Sequence, residues 1–317
     1  MGSEVTIADT GEFELIDRIT ADLDADPRVL VGPGDDAAVL AVTSGSVAVT
    51  CDVLVEGQHF RRDWSTAIDI GRKAAAASLA DVAAMGGTAT ALVVGFAAPP
   101  DLPTAWAVEC TAGLREEAAA VGASLVGGDV VQGPVLVLSV TAIGDLAGRS
   151  PVVRSGARPG DVVAVAGRLG WSAAGLALLS RGFRSPKVLV DGHRFPQPPY
   201  AAGPAAAMAG ATAMIDVSDG LVADLRHIAE SSQVAIDLST DGWEIPEAMQ
   251  AAAAAYNLDP REWILTGGED HALVATFPPD AELPEGFRVI GAVTPGGPSV
   301  SVDGQVRESA GGFRHFG

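Results

Sequence analysis

Two adjacent carboxylates stand in the stretch Gly32-Pro33-Gly34-Asp35-Asp36-Ala37-Ala38-Val39, in a glycine- and proline-shaped turn before an apolar run. Neighbouring aspartates repel each other, so a fold has little reason to hold them together unless a cation or solvent separates their charges. A solvated acidic turn is the plainer interpretation of this stretch alone. Similar junctions, in which an aspartate follows an apolar run or a glycine, recur at Asp52, Asp81, Asp129, Asp216 and Asp219. The recurrence favours a group of carboxylates that act together.

The overall charge restricts the partners. The chain has 317 residues, which suits two domains, and a formal net charge of −20. Such a charge argues against nucleic acid, whose phosphates need a basic surface. Only Lys73 and Lys187 carry ammonium groups, so a protein of this composition that handles phosphates would need divalent metal for much of its positive charge. An acidic surface can equally serve solubility alone.

Hydrophobic residues make up 48% of the chain, but no apolar run reaches the ~20 residues of a membrane span. Residues 1–10 carry Glu4 and Asp9 and show no basic-then-apolar pattern, so we expect no signal peptide and no membrane partner. Cys51 and Cys110 have neither metal-type nor redox-type spacing. The simplest expectation is a reduced, cytoplasmic protein.

The first half alternates helical and strand patterns. Thr66 and Asp69 form a capping-box signature and predict a helix over residues 67–85, with further helices over 12–23 and 103–121. Strands are predicted at 39–42, 47–53, 92–97, 124–126 and 134–143. Ser44-Gly45 reads as the turn of an antiparallel pair, and Gly127-Gly128-Asp129 as a turn after a short strand. These patterns predict an α+β or mixed α/β fold.

The best candidate boundary is the segment 144–160, rich in Gly, Ser, Pro and Arg. It separates an N-terminal domain, residues 1–147, from a C-terminal α/β domain, residues 148–317. Its arginines suit phosphate oxygens, or they are exposed linker residues. Beyond it we expect a strand at 161–166, a proline-rich connection at 187–199, and a strand-to-helix junction at Asp216-Val217-Ser218-Asp219-Gly220, where Ser218 or Asp219 could cap the helix.

Carboxylates surrounded by oxygen donors suit a hard cation such as Mg²⁺, which often bridges carboxylates and substrate phosphates. The chain has no Walker-type phosphate loop, no dinucleotide fingerprint, and no Ser/His/Asp or Cys/His set that spacing alone singles out. From the residues we therefore predict metal-dependent phosphate chemistry without a named substrate.

An ordered series of motifs then resembles one family, the thiamine-monophosphate kinases, from Gly11 to the last residues. The motifs are Gly-Asp-Asp-Ala-Ala at 34–38, Val-Glu-Gly-Gln-His-Phe at 55–60, Leu-Ala-Asp-Val-Ala-Ala-Met-Gly-Gly at 79–87, Gly-Gly-Asp at 127–129, Arg-Ser-Gly-Ala-Arg-Pro-Gly-Asp at 154–161, Asp-Val-Ser-Asp-Gly-Leu at 216–221 and Gly-Gly-Glu-Asp at 267–270. Each motif is weak by itself, and the ordered set is specific. The second and last distinguish this family from its relatives, the aminoimidazole ribonucleotide synthetase-like ATP-binding proteins.

The resemblance implies phosphoryl transfer from ATP to thiamine monophosphate with Mg²⁺, giving thiamine diphosphate and ADP without a phosphoenzyme. It implies metal ligation by Asp36, Thr50, Cys51, Asp52, Asp81, Asp129, Asp216 and Asp219. It implies ATP contacts from Gly128, Asp129, Arg154 and Ser218, and substrate contacts from His59, Glu269 and Phe313. No covalent nucleophile is implied. The N-terminal domain would form a β-barrel with that of a second copy in a homodimer, and the C-terminal domain would close the site.

Four positions depart from the family pattern: Cys51 and His271 replace a common Thr and Tyr, Ala80 replaces a common Ser, and Phe313 stands where Trp also occurs. None removes a carboxylate, but the first leaves the roles of Thr50 and Cys51 open. Two alternatives remain: a related ATP-dependent synthetase of the aminoimidazole ribonucleotide or selenophosphate type, and a non-catalytic nucleotide-binding protein.

Overall fold

A computed structural model describes residues 5–10, 12–21, 27–31, 39–42 and 44–307. The acidic turn with Asp36, and the C-terminal Phe313, lie outside the described residues. The chain divides into two compact units: residues 1–82 with 88–148, and residues 83–87 with 149–317. We call them the N-terminal unit and the C-terminal unit and describe each by itself. No helix of the described residues combines the length and apolarity that crossing a bilayer requires.

The N-terminal unit contains helices and a mixed sheet. Its helices are α1 Ile7–Thr10, α2 Glu12–Thr20, α3 Ala67–Ala84 and α4 Thr104–Ala119. The last two residues of α3 are assigned to the C-terminal unit. Its strands are β1 Val29–Val31, β2 Val39–Leu40, β3 Val47–Val55, β4 Thr88–Ala98, β5 Ser124–Gln132 and β6 Val137–Asp145. The Thr66–Asp69 capping box is confirmed, because each residue's backbone N–H donates to the other's side chain, at 2.9 and 3.2 Å.

Four strands form one sheet in the order β3-β6-β4-β5. The predicted antiparallel pair around Ser44-Gly45 is wrong: β2 pairs with β1, and β3 pairs with β6. The β3–β6 ladder runs without interruption from Val47 opposite Asp145 to Val55 opposite Val137. A nine-residue partner satisfies far more backbone groups than the two-residue β2 could, so the distant pairing prevails.

The glycine pair before Asp129 is not a turn, as the sequence suggested, but lies inside β5. Gly128 is opposite Val94 and Asp129 is opposite Gly95 in the parallel β4–β5 ladder. A Cβ on Gly128 would lie 2.2 Å from the carbonyl oxygen of Val94, so only glycine allows this approach of the two strands.

The C-terminal unit is built on a seven-stranded sheet flanked by helices. Its strands are β7 Val162–Ala166, β8 Ala213–Val217, β9 Ala235–Leu238, β10 Ala272–Phe277, β11 Phe287–Thr294, β12 Ser299–Val302 and β13 Gln305–Val306. Its helices are α5 Trp171–Ser180, α6 Lys187–Arg194, α7 Ala202–Met208, α8 Leu221–Ser232, α9 Glu247–Ala255 and α10 Pro260–Thr266, with a 3₁₀ turn at Arg154–Gly156. The order is β13-β12-β9-β11-β7-β10-β8, antiparallel except for the β9–β12 pair.

Two sequence predictions fail in this unit. Residues 187–199 contain the helix α6 rather than only a connection, because Leu189, Val190 and His193 form a buried face packed against α5. The cap of α8 is Gly220, with no capping side chain, instead of Ser218 or Asp219. Asp224, in the first turn of α8, instead accepts hydrogen bonds from the backbone N–H groups of Asp219 and Gly220, at 3.1 and 3.0 Å.

Candidate active site

In the N-terminal unit, β3 and α3 bring two predicted metal ligands together. Thr50 and Asp52 are two apart on a strand, and Ser78 and Asp81 three apart on a helix, so each pair shares a face. Thr50 Oγ1 donates to Asp81 Oδ2 at 2.6 Å, and Ser78 Oγ lies 2.8 Å from Asp52 Oδ2. Both carboxylates are half-buried. Strand and helix thus hold two carboxylates side by side, each fixed by a hydroxyl.

The register of the sheet shows on which face each of the other predicted ligands of this unit lies. Asp52 of β3 pairs with Val140 of β6, Val140 pairs with Val94 of β4, and Val94 pairs with Gly128 of β5. These four positions therefore share the sheet face toward α3. Cys51 and Asp129 belong to the opposite face, and Cys51 Sγ contacts Ser139 Oγ at 3.3 Å. Within one chain, the sheet does not bring Asp129 to the Asp52–Asp81 pair.

His59 lies in the tight turn that follows β3. Its Nδ1 accepts a hydrogen bond from the N–H of Val55 at 3.0 Å, which places the proton of the neutral ring on Nε2. Its carbonyl oxygen accepts a bond from Lys73 Nζ at 2.9 Å. The buried lysine therefore fixes this turn.

In the C-terminal unit, the loop that follows β8 and the loop that precedes β10 contact each other through their backbones. The N–H of Glu269 donates to the carbonyl of Ser218 at 2.7 Å, and the N–H of His271 donates to the carbonyl of Val217 at 2.9 Å. A Cβ on Gly268 would lie 2.3 Å from that same Ser218 oxygen, so the approach depends on glycine. The loops bring together four predicted site residues, namely Asp216, Ser218, Asp219 and Glu269.

Asp216 is the buried member of this group. Its Oδ2 lies 3.0 Å from His271 Nδ1, and both side chains are buried. The imidazole fixes the orientation of the carboxylate. Nearby, burial and the charge of Asp216 raise the pKa of Asp224 to about 7. The carboxylates of this junction are therefore crowded enough to oppose one another's ionisation.

Glu269 is held from the other side by α6. Its Oε2 lies 3.4 Å from the Nδ1 of buried His193, which also lies 3.0 Å from Ser172 Oγ. The next residue, Asp270, accepts hydrogen bonds from the N–H groups of Gly170 and Ser172 at the start of α5, at 2.5 and 2.8 Å. Burial raises the pKa of Asp270 to about 7 despite these two donors.

Arg154, predicted to contact ATP, is exposed in the 3₁₀ turn, and its carbonyl accepts a bond from Ser232 Oγ at 2.8 Å. Ser232 ends α8, whereas Asp219 precedes its start. Twelve helical residues span about 18 Å. The backbone of Arg154 is therefore not part of the Asp216–Asp219 group.

The donors suit Mg²⁺ bound together with phosphate. No three His, Cys, Asp or Glu side chains among the described residues are placed to hold an ion by themselves. Mg²⁺ commonly takes only one or two carboxylates and completes its octahedron with water and substrate phosphates. The half-buried pair Asp52–Asp81 and the neighbours Asp216 and Asp219 fit that mode of binding, and not a closed protein cage.

Sequence reasoning missed four supporting side chains: Ser78, His193, Asp224 and Asp270. Ser78 had a signal, because it precedes Asp81 by three residues on a predicted helix. Asp224 also had one, in the first turn of α8. His193 lies 76 residues before Glu269, and Asp270 lies 100 residues after Gly170, so no local pattern reveals these two contacts.

Two models of one protein family match the chain. The AIR synthase related protein N-terminal domain covers residues 34–146, and the C-terminal domain of the same family covers residues 158–303. The chain therefore belongs to the AIR synthase related family, a class of two-domain α+β proteins with mixed sheets.

Relatives place it more narrowly. It is 52% identical to the thiamine-monophosphate kinase of Mycobacterium tuberculosis over 98% of this chain and 93% of the relative. It is 35% identical to that of Bacillus subtilis, over 84% and 83%. Among solved structures, "AaThiL complexed with AMPPCP and TMP" superposes with a TM-score of 0.81, at 32% identity and 97% coverage of both chains. Within that class, the chain belongs to the thiamine-monophosphate kinase family.

Proposed function

We propose that this chain transfers the γ-phosphoryl group of ATP to thiamine monophosphate, forming thiamine diphosphate and ADP. The supporting observation is the pair of acidic groups, Asp52 with Asp81 and Asp216 with Asp219, in a chain 52% identical to a thiamine-monophosphate kinase. A relative with the same fold is described with an ATP analogue and TMP together. A kinase needs that pair of ligands.

The metal ligands in this proposal are Asp52, Asp81, Asp216 and Asp219. Asp36 and Asp129 are further candidates, and the Asp129 side chain lies on the opposite face of its sheet from Asp52, so it would have to act apart from the Asp52–Asp81 pair. Mg²⁺ bound there would supply much of the positive charge that the phosphates need, in a chain with only two lysines and a formal net charge of −20. Thr50 acts by orienting the Asp81 carboxylate through its 2.6 Å bond. Cys51, whose side chain is on the other face of β3, could contribute only its backbone carbonyl.

The chain's own residues then position the reactants. The attacking group is a phosphate oxygen that is already anionic at neutral pH, so no strong general base is required and direct transfer needs no covalent intermediate. We assign Gly128, Asp129, Ser218 and Arg154 to the nucleotide, with the guanidinium of Arg154 reaching a phosphate from outside the Asp216 group.

The substrate carries a cationic thiazolium ring, and we assign its recognition to Glu269, His59 and Phe313. The Glu269 carboxylate is held by His193 and is 30% exposed, so it can face a ligand while keeping its orientation. A carboxylate and an aromatic face are the two groups that a flat cation favours.

We also propose that the chain works as a homodimer in the cytoplasm. The sheet face away from α3 exposes apolar side chains: Val49 is 63% exposed, Val53 48% and Val131 51%. A second copy covering this face would complete a barrel from two four-stranded sheets. Val49→Asp would place a charge in that contact, so light scattering should report monomer for the variant and dimer for the wild type. A dimeric variant would contradict this surface.

The function is tested by measuring ADP release with ATP, Mg²⁺ and thiamine monophosphate, together with chromatographic detection of thiamine diphosphate. We expect ADP and thiamine diphosphate in equal amounts, and neither when the monophosphate is replaced by unphosphorylated thiamine. ATP binding without turnover would favour a non-catalytic nucleotide-binding protein. ADP formation only with a substrate of the related synthetases would favour that class.

A further inference from the structure

Two hydroxyl groups of the N-terminal unit cross between the strand and the helix that carry Asp52 and Asp81. Thr50 on β3 donates to Oδ2 of Asp81 on α3, at 2.6 Å. Ser78 on α3 donates to Oδ2 of Asp52 on β3, at 2.8 Å. One oxygen of each proposed metal ligand is therefore occupied by a hydroxyl from the other element. This crossed arrangement limits how either carboxylate can turn toward an ion.

Ser78 is the more restricted of the two hydroxyl residues, because it has no exposed surface. Its Oγ lies 2.8 Å from Asp52 Oδ2 and 2.9 Å from the carbonyl oxygen of Val140, which is opposite Asp52 in the β3–β6 ladder. A hydroxyl has one proton, so it donates to one of these two acceptors at a time. A charged acceptor forms the stronger hydrogen bond, so we assign the proton to Asp52.

The second oxygen of Asp52 is not held in this way. Asp52 is half-buried, and its Oδ1 has no hydrogen-bond partner among the described residues. An ion can therefore bind Oδ1 without disturbing Ser78. An ion that binds both oxygens must break the Ser78 bond. This costs a hydrogen bond to a charged group, which the neutral Val140 carbonyl offsets only in part.

Mg²⁺ and Ca²⁺ differ in how they bind a carboxylate. Mg²⁺ requires a near-ideal octahedron at about 2.0–2.1 Å and is usually bound through one or two carboxylates, with water and phosphate oxygens completing its shell. Ca²⁺ takes about 6–8 oxygens at about 2.3–2.6 Å and accepts both oxygens of one carboxylate. A carboxylate that offers a single oxygen therefore suits Mg²⁺, and blocking its second oxygen disfavours the competing ion.

We propose that Ser78 sets the ion preference of this site. Its bond to Oδ2 restricts Asp52 to binding through Oδ1, which favours Mg²⁺ over Ca²⁺. Ser78 acts through Asp52 and is therefore a positioning residue, and Thr50 restricts Oδ2 of Asp81 in the same way. The inference rests on the proposed function, because it takes Asp52 and Asp81 as ligands of the metal that is used with ATP.

The test measures metal binding directly. Electron paramagnetic resonance follows free Mn²⁺ added to the full chain with a fixed concentration of a non-hydrolysable ATP analogue, and Mg²⁺ or Ca²⁺ is added as competitor. The nucleotide's own affinity for metal is the same in every sample and cancels between variants. For Ser78→Ala we expect the affinity for Mg²⁺ to fall roughly 10-fold, as for other groups that orient a metal ligand. The affinity for Ca²⁺ should change little, because the released oxygen compensates. The ratio of the Ca²⁺ to the Mg²⁺ dissociation constant should therefore fall roughly 10-fold.

Thr50 gives a second test that does not depend on the folding of Ser78→Ala. Thr50→Val removes the hydroxyl and should lower the same ratio, whereas Thr50→Ser keeps the hydroxyl and should keep the ratio. Ser44→Ala is the matched control, because Ser44 donates to Asp145, a carboxylate outside the predicted ligand set. Circular dichroism reports whether each variant is folded.

A wild-type ratio in folded Ser78→Ala, or in Thr50→Val if Ser78→Ala does not fold, overturns this inference and leaves the kinase function standing. A wild-type protein that shows the ion preference but does not phosphorylate thiamine monophosphate overturns the kinase function instead.

Discussion

The close approach of the two loops in the C-terminal unit gives a sharp prediction for Gly268→Ala. The added Cβ would lie 2.3 Å from the carbonyl oxygen of Ser218, whereas ordinary contacts begin near 3.4 Å. The obstacle is backbone and cannot rotate away. The loop with Glu269 and the turn with Ser218 and Asp219 must therefore separate by about 1 Å.

This separation has two measurable consequences. Overpacking costs about 1–3 kcal/mol, and losing the 2.7 Å bond from the Glu269 N–H to Ser218 adds about 1 kcal/mol. The free energy of unfolding should thus fall by about 2–4 kcal/mol. A shift of 1 Å in a positioned group can reduce a rate about 100-fold, so kcat/KM should fall by a factor of that order.

The assays are urea denaturation and coupled ADP release at saturating Mg²⁺, with Gly297→Ala as the matched control. A Cβ on Gly297 has no atom within 4 Å and its backbone is not left-handed, so this variant should match the wild type in both assays. If Gly268→Ala also matched the wild type in stability and kcat/KM, the two loops would not form one site.

Three further predictions concern charge and recognition. Asp52→Asn and Asp81→Asn should nearly abolish turnover with circular dichroism unchanged, because each removes a charge from the proposed metal pair; wild-type rates at saturating Mg²⁺ would contradict this. The pKa of Asp270 is raised from 3.8 to about 7 in the folded protein, so ionisation of this carboxyl opposes folding. Its contribution to the free energy of unfolding is fully present below pH 3.8 and is lost as the pH rises through 7. Because Asn does not titrate, urea denaturation should show the stability of the wild type relative to Asp270→Asn falling by at most about 1.4 kcal/mol per pH unit from pH 4 to pH 7, and a constant difference would argue against the raised pKa. Phe313→Ala should raise KM for thiamine monophosphate more than KM for ATP in the ADP assay, and equal changes would remove this residue from the substrate pocket.

Local sequence patterns predict the elements that contain their own signals. The capping box at Thr66 locates the start of α3, and the strands predicted at 47–53 and 161–166 match β3 and β7 to within two residues. These elements are predictable because the signals for a helix or strand lie in residues that are close together in the sequence.

Partners far apart in the chain are not predictable in this way. The pairing of β3 with β6 instead of β2 joins residues that are 82 to 98 positions apart in the chain. The helix α6 lies in a proline-rich segment and is stabilised by burial against α5, which overrides the local turn signals. Tertiary packing decides both cases.

In the candidate site, too, some features could be predicted from local sequence and others depend on distant residues. The motif residues Asp52, Asp81, Asp216 and Asp219 could be chosen from sequence, because each stands at an apolar or glycine junction. Their contacts could not be predicted. Ser78 could be placed on the same helix face as Asp81, but its bond to Asp52 and the contact of His271 with Asp216 depend on elements that are distant in the chain.

The most direct test of the central claim is a crystal structure of this protein with Mn²⁺ in place of Mg²⁺ and a non-hydrolysable ATP analogue. Anomalous scattering locates each metal. We predict peaks at about 2.0–2.3 Å from carboxylate oxygens of the Asp52–Asp81 pair and of Asp216 or Asp219, each shared with a phosphate oxygen. A triphosphate bound with no metal at any of these carboxylates would contradict the account.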